Sequence, residues 1–211
     1  MFQEVFFMQI ATLTKNFNQV KTKYFTWQKQ LTFSQKLSLS LGFAMATGLL
    51  AQVRIPLFFT PVPITGQTFA VLMAGIILGS RFGTLSQMLY VGIGLAGMPW
   101  FSGGTGGIAS LAGPTGGYLI GFVVAAYFIG FMTERFKGTR NLVPLMGLMF
   151  IANFMIIYGL GLLQLKIWFS FFFHNPKTWA ATFSMGALPF IAGDMVKIAV
   201  AALAAKTLLR K

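Results

Sequence analysis

The sequence predicts an all-α integral membrane protein, a bundle of six transmembrane helices. Three observations predict it. Of 211 residues, 56% are hydrophobic and only 9% charged, where a soluble domain carries about 25% charged residues. The mean hydropathy is +0.74, and the 24 Phe and 24 Gly suit membrane helices, in which glycine is more frequent than in soluble ones. Finally, apolar runs of helical length recur along the chain, and the basic residues sort to the loops on one side of them.

A span needs ~20 apolar residues. Six runs qualify: 37–55, 66–79, 82–98, 117–133, 142–165 and 186–209. The second and third are short. Fourteen residues rise only ~21 Å at ~1.5 Å each, so these two either thin the bilayer or lie behind other helices. Arg81 and Gly83 mark a tight turn between them. Six spans place Lys15, Lys21, Lys23, Lys29, Lys36, Arg81, Arg135, Lys137, Arg140, Lys206, Arg210 and Lys211 on one side, against Lys166 and Lys177 on the other. Basic loops stay in the cytoplasm, so both termini of a multi-pass membrane protein are expected there. The same asymmetry accounts for most of the net charge of +13 without an anionic partner, and nucleic-acid binding is not expected.

The expected domains are an N-terminal cytoplasmic segment, 1–36, and a six-helix membrane domain, 37–211. The segment does not read as a signal peptide: Val5–Leu13 is interrupted by Gln9 and Thr12, and no positive region precedes it. Two readings stand side by side, an amphipathic helix lying on anionic lipid and a solvated tail.

Enzyme chemistry finds little to work with. The chain has no Cys and one His, His174, which leaves no thiolate nucleophile and no metal cluster. No phosphate-binding Walker loop occurs. The G-x-G-x-x-G match at Gly92–Gly97 lies inside an apolar run and reads as small residues for close helix packing. Of three acids, Glu4 is in the tail and Glu134 in a basic loop, so Asp194 is the only carboxylate in a span. No cofactor and no catalytic residue are expected.

Asp194 carries the functional argument. An intramembrane charge costs ~2.5–3.5 kcal/mol at a helix centre and usually faces the bundle interior. Lys197 is three residues on and shares its helix face. The pair is either a self-neutralising lock between helices or a polar site for a buried ligand, in which Asp accepts from ligand N–H groups and Lys holds a carboxylate or orients the Asp. Asp194 would lie ~12 Å below the outer face. The outer loops suit a pocket there. Residues 99–117 are glycine-rich and flanked by Trp100, Phe101 and Tyr118, and 56–65 carries three prolines that make a stiff lid. Asn153 and Tyr158 are polar groups in the fifth span, facing either the pocket or a neighbouring helix. Arg54 is expected to snorkel to the outer interface. Ser40, Ala44 and Gly48 form a small-residue stripe on the first span, either for packing within the bundle or for docking another membrane protein.

Four stretches together, 61–68 (PVPITGQT), 75–79 (GIILG), 113–122 (GPTGGYLIGF) and 189–197 (PFIAGDMVK), resemble the BioY family, the biotin-binding S components of energy-coupling factor (ECF) transporters. The resemblance covers about 37–209. It implies a bundle of the ECF S-component type that captures biotin from outside and is driven by a transmembrane T component and two cytoplasmic ATPase subunits. It implies that Asp194 accepts from the ureido N–H of biotin with Lys197 beside it, that the Gly103–Gly107 loop, with Gly104 and Gly106, closes on the ligand, and that Gln67 and Tyr118 are wall residues. Trp100 or Phe101 would cover the apolar ring, and the Ser40, Ala44, Gly48 stripe would face the T component, where such families often show an Ala-x-x-x-Ala pair. The competing readings are an S component for riboflavin or thiamin, an integral-membrane enzyme, and a structural adaptor.

Overall fold

The computed structural model describes residues 30–172 and 174–209. The reading of 1–29 as an amphipathic or solvated segment lies outside the described residues. Helix α1 spans Phe33–Gln52, starting four residues before the apolar run. The reason is a capping box that hydropathy does not register: the Thr32 hydroxyl accepts from Gln35 N while the Gln35 side chain accepts from Thr32 N.

Helix α2, Gln67–Leu95, covers the second and third predicted spans. It is a hairpin. At Gly79 the backbone takes φ 76 and ψ −175, a region open essentially to glycine alone, and the chain reverses there. Gly83 consequently packs against the backbone of Ala74 and Gly75, and Gln67 Nε2 donates to Tyr90 Oη at 2.6 Å. In a straight helix those two residues would be ~34 Å apart. The turn falls two residues before Arg81, and the Glu134 carboxylate holds it by accepting from Ser80 N at 2.9 Å and Ser80 Oγ at 2.6 Å. The first leg, 67–78, is short, but nearly all of it is core, so it lies behind its neighbours rather than facing lipid.

The short helix α3, Ala109–Ala112, sits in the glycine-rich loop, and α4 spans Gly116–Arg135. Beyond a 3-10 turn, Lys137–Arg140, come α5, Leu142–Phe150, a π-helical turn, Ile151–Ile157, and α6, Tyr158–Phe171. These last three form one continuous 30-residue rod. Helix α7, Trp179–Gly186, and a 3-10 turn, Leu188–Phe190, lead into α8, Ile191–Leu209. Among the described residues four stretches are long and apolar enough to cross a membrane, Gln67–Leu95, Gly116–Arg135, Leu142–Phe171 and Trp179–Lys206. With α2 folded into two legs and α1 added, the bundle has its six helices.

Helix α4 is central. Gly117 and Gly121 bring its backbone onto Leu160 and Ile157 of the rod, a close approach that any side chain would prevent. Its other flank packs on the first leg of α2, where Gly75 meets Ala126. The core, including Leu72, Ile129, Leu145, Met149 and Ile198, lies between these elements. The stripe of Ser40, Ala44 and Gly48 is part of it and does not face outward: Ser40 and Ala44 are fully buried, Ser40 Oγ donates to Phe82 O at 3.1 Å, and Gly48 lies against the Trp100 ring. The stripe packs α1 onto the second leg of α2. This corrects the expectation that it docks a partner.

Candidate ligand-binding site

Three loop regions meet at one end of the bundle. The strand pair β1, Arg54–Ile55, and β2, Ile64–Thr65, is antiparallel, with Arg54 opposite Thr65. It holds the proline-rich loop as a flap, which Thr60 pins by donating to Met185 O at 2.8 Å. The glycine-rich segment folds back on itself, with Phe101 N donating to Thr105 O and Gly107 N to Gly94 O. Below these loops lies a cavity of about 490 Å³, a size that suits a small organic ligand. Phe101, Leu119, Phe122, Ile157 and Phe190 give it apolar walls, and Tyr118, Gln67, Ser110 and Thr115 add polar edges.

Asp194 sits in the cavity wall and is 2% exposed. Four donors hold it. Lys197 Nζ reaches Oδ1 at 2.6 Å and Thr68 Oγ1 reaches the same oxygen at 3.3 Å. Asn153 Nδ2 reaches Oδ2 at 2.7 Å, and Tyr158 Oη donates to it at 2.5 Å. A carboxylate offers about four lone-pair sites, so all are used. Lys197 also donates to Thr65 O at 2.7 Å, which ties α8 to the flap. The π-helical turn contributes Asn153, and Tyr158 follows it. Such turns are frequent at functional sites because the extra residue re-aims side chains inward. Asn153 is fully buried, and its Oδ1 has no partner among the described residues.

The sequence-predicted residues separate into three groups. Asp194, Lys197, Gln67, Gly106, Tyr118 and Tyr158 line the cavity. Asn153 is behind the wall, reaching the cavity only through Asp194. Trp100 and Gly104 are outside the lining: the Trp100 indole N–H donates to Tyr90 O and its ring packs on Tyr90, while neighbouring Phe101, 3% exposed, is the ring that faces the cavity. Sequence reasoning passed over Thr68, although it follows Gln67 in the same motif and one turn of helix aims both inward. It also passed over Ser102, and it assigned Arg54 to the membrane interface, whereas the structure places Arg54 in the cavity lining.

Comparison with known proteins shows the family and the fold. The BioY family model matches residues 19–211. The chain is 48% identical over 132 residues to the probable biotin transporter BioY of Methanothermobacter thermautotrophicus, which covers 62% of this chain and 83% of that one. It is 37% identical over 175 residues to the probable biotin transporter BioY of Pyrococcus horikoshii, covering 83% and 96%. Its fold matches the crystal structure of the S component for biotin from an ECF-type ABC transporter with a TM-score of 0.74 and 29% identity, over 86% of this chain and 95% of that one. The protein is thus an all-α membrane protein of the S-component fold and, by the match over residues 19–211, belongs to the BioY family.

Proposed function

We propose that this chain takes up biotin across the cytoplasmic membrane as the substrate-capture component of an ECF-type transporter. The observation that carries the reading is Asp194: a buried carboxylate, oriented by four donors, in the wall of a largely apolar cavity of small-molecule size. A cyclic urea presents an N–H donor to such a carboxylate. Because all lone pairs are occupied, an incoming N–H must displace one donor, and Thr68, the longest contact at 3.3 Å, is the one released most cheaply. Lys197 and Tyr158 keep their protons on Asp194 and hold the carboxylate in place while the ligand N–H binds. The thiophane ring and the alkyl chain then lie on Phe101, Leu119, Phe122 and Phe190.

No ATP site is needed in this chain, because the T component and two cytoplasmic ATPase subunits would supply the driving force. The face of α1 offered to them is Ser38, Gly42 and Ala46. Ser38 and Gly42 are exposed, and the space beside Gly42 is open, which permits a partner helix to approach closely. Both termini lie in the cytoplasm on this reading, with Lys36, Arg81, Arg135 and Arg140 at the end opposite the cavity. Calorimetric titration of the purified full chain with biotin is the test. Saturable binding supports the assignment, and no heat at micromolar biotin overturns it.

A further inference from the structure

We propose that Arg54, with Ser102 beside it, is the carboxylate-binding pair at the mouth of the cavity and sets selectivity for an anionic over a neutral ligand. The inference rests on the biotin reading above and adds the group that recognises the other end of the molecule. Three charged side chains line the cavity, Arg54, Asp194 and Lys197. Asp194 and Lys197 cancel as a contact ion pair at 2.6 Å, so the cavity is left with one net positive charge, on Arg54. Among the described residues the Arg54 guanidinium has no hydrogen bond and no ion pair, and its five N–H donors are available for a bidentate carboxylate contact.

The glycine-rich loop is shaped around this guanidinium. Arg54 Nη1 rests on Gly103, where a β-carbon would fall 2.5 Å from it and where φ is +83. Only glycine meets both conditions easily. The adjacent residue, Ser102, lines the same cavity, and its hydroxyl is buried without a partner. A buried hydroxyl left unpaired costs free energy, which a ligand oxygen at this position would recover. Lys197 is excluded from the role because its ammonium is already committed to Asp194, Thr65 and Thr68. Arg54 is opposite Thr65 in the strand pair, and the Thr65 carbonyl accepts from Lys197.

The experiment compares biotin with biotinamide, which keeps the ureido ring and loses the charge, on the full chain in detergent. In the unaltered protein biotin should bind tighter than the amide by roughly tenfold or more, the size of one charge-assisted contact. Arg54→Gln should weaken biotin by about the same factor and leave the amide within about twofold, which also shows that the variant is folded. Arg54→Lys should recover part of the biotin affinity, and Ser102→Ala should lose about two- to fivefold for biotin alone. An Arg54→Gln variant that keeps the original biotin-to-amide ratio overturns the proposal while leaving the biotin reading intact. Failure of both ligands to bind the unaltered chain overturns the biotin reading itself and this inference with it.

Discussion

At the deep end of the cavity Asp194 accepts from four donors, whereas at the mouth the Arg54 guanidinium and the Ser102 hydroxyl have no partner among the described residues. The deep end is pre-organised. Its carboxylate is fixed by side chains from α2, the π-helical turn, α6 and α8, so a ligand meets a finished acceptor and exchanges one hydrogen bond for another. The mouth holds unused capacity, and a ligand there adds contacts without replacing any. Exchange yields orientation with modest net gain, whereas addition yields affinity that depends on ligand charge. Recognition of the ring and discrimination of the tail are therefore expected to separate in variants.

Asp194→Leu should break the deep end most severely. It leaves the Lys197 ammonium, whose side chain is 20% exposed, without its counter-ion, and breaking a buried pair costs ~3–5 kcal/mol. Biotin binding by calorimetry should fall about 100-fold or more, with the amide falling equally. A loss confined to biotin would reverse the roles assigned to the two ends. Tyr158→Phe removes one hydrogen bond to a charged group, worth ~1.5–3 kcal/mol, and should weaken both ligands about tenfold. An unchanged Kd would show that the three remaining donors, Asn153, Thr68 and Lys197, suffice to orient the carboxylate. Gly79→Ala, remote from both ends, should lower thermal stability by ~1–3 kcal/mol, because alanine does not tolerate that backbone region. Measured on the folded fraction, it should leave the preference for biotin over its amide unchanged, and a changed preference would mean that the hairpin turn reaches the cavity.

The deep end was the more legible in sequence. A lone Asp followed three residues later by Lys, in a run whose other charge, Lys206, is near its far end, has few structural explanations in a membrane, and the cavity lies where that pair points. Arg54 was illegible for the opposite reason. A cation at the end of an apolar run usually snorkels to headgroups, and nothing local signals that a loop some fifty residues on will fold beneath it. The α1 stripe shows another limit. Ser38, Gly42 and Ala46 interleave with Ser40, Ala44 and Gly48, offset by two residues and so by ~200° around the helix. Two small-residue stripes lie on nearly opposite faces, and only the packing of Phe82 and Trp100 decides which is buried. The hairpin itself is visible as two short spans, but Arg81 and Gly83 mark its turn in the sequence, whereas the backbone reverses at Gly79. The π-helical turn has no sequence signature at all, although it carries Asn153.

The reversal at Gly79 also bears on how the chain enters a bilayer during synthesis. The first leg is twelve residues, a rise of ~18 Å against a hydrocarbon core of ~30 Å, and it begins with Gln67 and Thr68. Alone it is too short and too polar at one end to stay in lipid. Joined to 80–95, it gains the Gln67–Tyr90 hydrogen bond and a partner along its length, so the two legs are expected to insert together as one unit. A topology reporter fused after residue 78 should then fail to integrate stably, while the same reporter after residue 95 should integrate. Stable insertion of the shorter fusion would mean that each leg is threaded separately.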